Sequence, residues 1–208
     1  MTNALRLIAA IGSLLAGTVA LHDTTTAGDQ TPPAIVTINM SQSEHDAAVR
    51  MAALFTEAGL ELPAVTIRRH ADTTACDSHP GSHRTVAAGS QIDICTADTG
   101  AYEQRLMLHE LAHAWAAHYL TPERKEAFRN LRHWQYWQDY ERAEWRYNGT
   151  EQAAEIIVWA LSDHPVQVAQ LDHHSCPELR AGYITLTGLA PLHGYTDRCD
   201  DFPPDRRS

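Results

Sequence analysis

The chain has 208 residues and a formal net charge of -10, with 26 acidic residues against 16 Lys and Arg. Binding to nucleic acid requires a surface of concentrated Lys and Arg, so this balance argues against nucleic-acid binding. The length suits a single domain with a proper core, and no internal repeat or linker divides it.

The N-terminal segment predicts secretion. One positive charge is followed by an uncharged run of 15 residues, 7–21, which is shorter than the roughly 20 apolar residues of a spanning helix. We interpret residues 1–20, or 1–27, as a signal peptide; a retained membrane anchor is the alternative. Residues 21–33 are predicted as a flexible lead-in, residues 34–200 as one domain and residues 201–208 as a loose tail. The mature protein is predicted to be extracellular and monomeric, without stable membrane association.

The first half of the domain predicts a small mixed sheet. β-branched runs at residues 34–40 and 64–70 indicate strands, and the helix between them would have Ser43 as N-cap and Gly59 as stop. Residues 84–88 and 91–96 indicate a hairpin around Gly89 and Ser90. The later helices are predicted around residues 106–117, 121–131, 149–161 and 177–187. The fold class is therefore α+β, with a helical C-terminal half.

The run His109-Glu110-Leu111-Ala112-His113 is the HExxH pattern. Residues i and i+4 share one face of a helix, so both imidazoles can hold one zinc ion while Glu110 lies beside them to transfer protons. The flanking residues are uncharged and mostly strong helix formers, as a buried ligand-bearing helix requires. An amphipathic helix with surface histidines is the alternative.

A catalytic zinc ion usually has three protein ligands, and the third is sought on a second helix. Residues 149–161 are apolar on nearly all sides, which predicts a buried helix. Glu151 and Glu155 lie four residues apart on one face of it, and buried carboxylates need a cation or hydrogen-bond donors. We assign Glu151 to the zinc ion and Glu155 to the distal N–H of a ligand histidine. The reverse order is possible, and both acids could instead pair with Arg142 or Arg146.

With these two helices the chain resembles the gluzincins, the thermolysin-like zinc metallopeptidases whose third ligand is a Glu on a second helix. The resemblance covers roughly positions 104–162 and implies His109, His113 and Glu151 as ligands. Thr150 occupies the position before the ligand Glu where this family usually has Asn. A small single-domain secreted zincin is therefore a better match than thermolysin itself. The resemblance also implies a zincin-like fold, in which an edge strand beside the HExxH helix binds extended peptide by β-addition.

The predicted function is hydrolysis of peptide bonds by a secreted zinc peptidase. One zinc ion would activate water, and Glu110 would act as general base. The substrate would be a peptide or protein in extended conformation. A zinc amidase acting on a non-protein amide, such as a cell-wall crosslink, and a non-catalytic zinc-binding domain are the alternatives.

Four cysteines in a chain with a secretion signal predict two disulfides. Of the three possible connectivities we favour Cys76 with Cys95 and Cys176 with Cys199, because each pair closes a local loop. A second zinc site is the alternative, but the chain has no C-x-x-C spacing to support it.

Three of the five tryptophans lie in residues 132–147, between the two predicted parts of the site. They could form a wall of a cleft or pack over the core.

Overall fold

The computed structural model describes residues 34–98, 100–139, 141, 144–162 and 175–193. The predicted signal peptide, the lead-in, the C-terminal tail and Cys199 lie outside the described residues. The described part is α+β with a small mixed sheet, which confirms the predicted class. Its strands are β1 (Ile35–Ile38), β2 (Val65–Arg69), β3 (Gly81–Val86) and β4 (Gly89–Ile94), and its helices are α1 (Gln42–Glu57), α2 (Ala101–Tyr119), α3 (Pro122–Arg132), α4 (Gly149–Leu161) and α5 (Cys176–Thr187).

The four strands form one sheet in the order β1-β2-β4-β3. β1, β2 and β4 are parallel, and β3 is antiparallel to β4. The first three elements are therefore the predicted βαβ unit. β3 is an edge strand of the sheet, and it contacts α2, the helix that carries HExxH.

α1 begins two residues earlier than predicted, because its N-cap is Ser41 and not Ser43. The Ser41 side chain accepts a hydrogen bond from the Glu44 backbone N–H, and the Glu44 carboxylate accepts one from the Ser41 N–H. This reciprocal pair is a capping box, which requires Glu or Gln three residues after the cap. Ser43 lacks such a residue, since Asp46 stands at that position.

The predicted hairpin exists, but its turn lies two residues before Gly89 and Ser90. Val86 pairs with Gly89, so residues 87 and 88 form the turn, and β3 begins at Gly81 instead of residue 84. Gly89 does not form the turn, but glycine is needed there for close packing. A Cβ at Gly89 would lie 2.1 Å from the Ala64 carbonyl oxygen, so glycine lets the start of β4 approach the chain ahead of β2.

α2 and α4 form the centre of the helical layer. α2 contacts α1, β3, β4 and α4, and α4 also contacts α5. Every residue of α4 except Thr150 is buried, which confirms the prediction of a buried second helix. No helix in the described part of the chain has both the length and the apolar character needed to cross a membrane.

A partly buried ion cluster joins the sheet to two helices. Arg69 of β2 lies 2.7 Å from Glu44 of α1 and also pairs with Glu103, which is buried on α2. Removing Arg69 would leave the buried Glu103 carboxylate without its ion-pair partner, which is costly. The cluster therefore helps to set the position of α2 against the sheet.

Candidate metal centre

α2 directs three polar side chains of HExxH into the interior. His109 and Glu110 are only 6% and 5% exposed, and His113 is half-buried. Leu108 and Leu111 on the same turn belong to the hydrophobic core. Because the apolar residues bury this turn, the histidines and Glu110 lose water and need partners inside the protein.

α4 supplies the third group. Glu151 Oε2 lies 3.2 Å from His109 Nε2 and 3.3 Å from His113 Nε2, and the two Nε2 atoms are 3.0 Å apart. These three residues form a group that could hold a metal ion. The separate stretches that carry HExxH and Glu151 therefore meet at one point.

The donor set fits zinc in size and in chemistry. At the usual ligand distance of about 2.0–2.1 Å, two ligand atoms of a tetrahedral zinc site are roughly 3.3–3.4 Å apart. The three measured separations, 3.0, 3.2 and 3.3 Å, come close to that value. Two imidazoles and one carboxylate are also one of the ligand sets found in catalytic zinc sites.

Glu155 lies behind His109, on the side away from Glu151. Its Oε1 is 2.8 Å from His109 Nδ1, within ion-pair distance, and neither atom makes a hydrogen bond of regular geometry with any described residue. Its Oε2 pairs with Arg105 of α2. A carboxylate at Nδ1 places the ring proton there and leaves the lone pair on Nε2, which is the arrangement a metal ligand requires.

The charges around His109 favour a cation at this place. Burial by itself lowers the pKa of His109, but the Glu151 and Glu155 carboxylates outweigh burial and raise it to about 10. Burial likewise opposes ionisation of Glu151, yet His109 and His113 hold its pKa well below its usual range. Two carboxylates around one buried imidazole thus attract positive charge, either a proton or a metal ion.

Glu110 is buried beside the ligand group, and its carboxylate makes no hydrogen bond or ion pair with any residue that the structure describes. Burial raises its pKa, and the nearby His109 and His113 only partly oppose that shift. A buried carboxyl group with a raised pKa, beside residues that could hold a metal ion, is suited to accept and return a proton.

The ligand group borders an open cleft of about 1290 Å³. On one side Trp145, which is 38% exposed, stacks on His109 with ring centroids 6.0 Å apart. On the other side His83 of β3 stacks on His113 at 6.4 Å. Burial and the neighbouring histidines lower the pKa of His83 to about 4, so this ring is neutral at neutral pH.

The structure brings together all five residues that the sequence predicted for the site, which are His109, Glu110, His113, Glu151 and Glu155. The alternative pairing of the acids with Arg142 or Arg146 concerns side chains outside the described part. Sequence reasoning missed Arg105, which pairs with Glu155 from one turn before HExxH. Arg105 lies four positions before His109 on the same helix, but that spacing does not indicate a contact with Glu155, which is 50 residues away in the chain.

The predicted disulfide between Cys76 and Cys95 is confirmed. It joins the segment before β3 to the end of β4, next to the cleft. Cys176 is also disulfide-bonded, but its predicted partner, Cys199, lies outside the described residues.

Comparisons of the chain with protein-family models, with curated proteins and with solved structures find no match. The function is therefore inferred from the residues of the site and their geometry.

Proposed function

We propose that this chain is a zinc-dependent peptidase of the zincin type. One observation supports the proposal above all: His109, His113 and Glu151 bring their donor atoms within 3.3 Å of one another, with Glu110 beside them in an open cleft. Structural zinc sites are usually closed by four protein ligands. The described residues supply three, next to a cavity, which favours a catalytic ion over a structural one.

His109, His113 and Glu151 would hold the zinc ion, and Glu155 would keep the His109 ring in the correct tautomer. Zinc in such a site supplies Lewis acidity, which makes water a better nucleophile near neutral pH and polarises a carbonyl group. The remaining chemistry belongs to the side chains of this protein.

Glu110 would be the general base. Its carboxylate would accept the proton that an attacking water loses and then deliver it to the nitrogen of the leaving amine. This role requires a carboxylate close to the ligands and little competition from other partners. Both conditions hold for Glu110 in the described part of the chain.

β3 would bind the substrate. It is an edge strand, and its first residues line the cleft beside the ligand group. An extended peptide can pair its backbone with such an edge, and its side chains then enter neighbouring pockets. We therefore propose a peptide or protein in extended conformation as substrate.

The disulfide between Cys76 and Cys95 supports the proposed extracellular location. Disulfides form and persist in oxidising compartments and are rare in the cytosol. The signal peptide proposed for residues 1–20 would direct the chain to such a compartment.

The proposal is tested on the purified full-length protein. Metal analysis should find one zinc ion per chain, and a library of fluorogenic peptides should be cleaved. A chelator should abolish cleavage, and added zinc should restore it. Zinc binding without cleavage of any peptide would contradict the peptidase function, and release of peptidoglycan fragments would identify the amidase alternative.

A further inference from the structure

β3 crosses α2 at Gly81, and this residue faces Glu110. A Cβ at Gly81 would lie 2.8 Å from Glu110 Oε1, 3.3 Å from Glu110 Cδ and 3.1 Å from Leu106 Cδ1. Carbon and oxygen atoms without a bond between them do not approach to 2.8 Å without strong repulsion. The missing side chain of Gly81 therefore leaves the space in which the Glu110 carboxylate lies.

The backbone conformation does not explain this glycine. Gly81 is absent from the residues with positive φ, which include Gly59, Gly89, Gly100 and Gly188. An ordinary side chain could adopt the backbone angles of Gly81. Position 81 requires glycine because a side chain there would contact Glu110 and Leu106.

β3 is anchored at this point by backbone pairing and, through Cys95, by the disulfide. Gly81 pairs with Ile94, and the backbone N–H of Cys95 donates to the Pro80 carbonyl oxygen at 2.8 Å. Cys95 is in turn joined to Cys76 by the disulfide. A side chain at position 81 would therefore displace the flexible end of Glu110 and leave the strand where it is.

We propose that Gly81 is a positioning residue, which sets the location of the Glu110 carboxylate beside the metal ligands by having no side chain. This inference rests on the proposed function, in which Glu110 is the general base. It assigns to β3 a role in arranging the proton-transferring group in addition to binding substrate.

The test is Gly81→Ala, compared with Gly182→Ala as the matched control. Gly182 lies on α5, outside the cleft, where a Cβ would meet Ile156 Cδ1 at 2.9 Å. Each variant thus adds one methyl group that contacts the end of a neighbouring side chain. In Gly81→Ala that side chain is Glu110, and in Gly182→Ala it is Ile156. For each variant kcat, KM, zinc content and melting temperature are measured.

Gly81→Ala should keep one zinc ion per chain and melt within a few degrees of the parent protein. Its kcat should fall about 10- to 100-fold, the cost of a misplaced catalytic group, while KM changes by less than about threefold. Gly182→Ala should retain the parent kcat. An unchanged kcat in Gly81→Ala, loss of its zinc, or an equal fall in both variants would overturn the proposal.

A double-mutant cycle tests whether Gly81 acts through Glu110. In the Glu110→Gln background, Gly81→Ala should have no further effect on kcat, because the group that it displaces no longer transfers protons. An equal fold-loss in both backgrounds would overturn the assignment. If the parent protein cleaves no peptide, the proposed function fails, and crystal structures of the parent and Gly81→Ala then decide about Gly81: a carboxylate of Glu110 that has not moved would overturn the proposal.

Discussion

His109 is the most closely surrounded side chain of the site. Its Nε2 faces His113 and Glu151, its Nδ1 faces Glu155, and the Trp145 ring stacks on it. The two ring nitrogens therefore have different surroundings, and in the proposed site Nδ1 would carry the proton while Nε2 would bind the metal ion. The two glutamates on α4 would then differ in function, because they face opposite nitrogens of the same ring.

Substituting these glutamates should separate their roles. Glu151→Gln replaces a charged ligand by a neutral amide, and we expect the purified variant to contain no zinc. Glu155→Gln should bind zinc about 10- to 100-fold more weakly, since it keeps all three ligands and loses the charged partner of His109 Nδ1 and of Arg105. Zinc affinity is measured by competition with a chromophoric chelator.

Glu103→Gln is the control for both variants. Glu103 is also a buried, ion-paired acid, but its partner is Arg69 and it does not line the cleft. The Glu103→Gln variant should bind zinc with the same affinity as the parent protein. Full zinc occupancy in Glu151→Gln would place the third ligand elsewhere in the chain.

Glu110→Gln should uncouple metal binding from turnover. The amide has nearly the shape of the carboxylate but accepts no proton, so zinc content should stay at one ion per chain. We expect kcat to fall by about 10²- to 10⁴-fold, the usual contribution of a general base. Steady-state kinetics with a cleaved peptide measure this loss, and parent-like turnover would assign the base to another residue.

The segment between the disulfide and β3 shows how one element controls the site. Asp77 and Ser78 both have positive φ, which few residues other than glycine adopt, and they reverse the chain directly after Cys76. The disulfide and the Cys95 to Pro80 hydrogen bond then fix the start of β3. The element that faces Glu110 thus owes its position to a covalent link outside the ligand set.

Removing that link should lower both stability and turnover. In the double variant Cys76→Ser with Cys95→Ser, we expect the free energy of unfolding to fall by about 3 kcal/mol. This corresponds to roughly 6–12 °C in melting temperature for a domain of this size. Because β3 is then less firmly held, we expect kcat to fall by a larger factor than the zinc affinity. Calorimetry, kinetics and metal titration measure the three quantities, and an unchanged kcat would show that the disulfide serves stability alone.

At the scale of the whole molecule, the proposed metal ligands come from both the part of the fold that contains the sheet and the part that contains the later helices. His109 and His113 belong to α2, which contacts the sheet, and Glu151 and Glu155 belong to α4, which contacts α5. Arg105 and His109 provide the partners for acids that would otherwise be buried without compensation. An ion bound to both helices should therefore stabilise the entire domain.

Zinc should raise the melting temperature of the metal-free protein. A ligand that binds only the folded state, at about 100 times its Kd, adds about 2.7 kcal/mol of stability. For a domain of this size this is a rise of roughly 5–11 °C. Differential scanning calorimetry with and without zinc measures the shift.

The shift should vanish in Glu151→Gln and persist in His118→Ala. His118 lies on the same helix but is exposed and outside the metal-binding group. A shift of equal size in Glu151→Gln would show that zinc stabilises the fold from another site.

The sequence by itself determined the features that depend on short separations along the chain. The helical periodicity of α2 places His109 and His113 on one face, and α4 does the same for its two glutamates. The position of α3 followed from Thr121 as N-cap and Pro122 in the first turn, which are local signals as well. Even local signals had limits, as the shifted cap of α1 shows.

Only the tertiary structure decided which distant segments touch. Arg105 and Glu155 are 50 residues apart in the chain, and no local pattern indicates that their side chains meet. The stacking of Trp145 on His109 and the contact of Gly81 with Glu110 are of the same kind. Packing of α2 against both β3 and α4 creates these contacts, because it is the burial of apolar surface from all three elements that brings the polar side chains together.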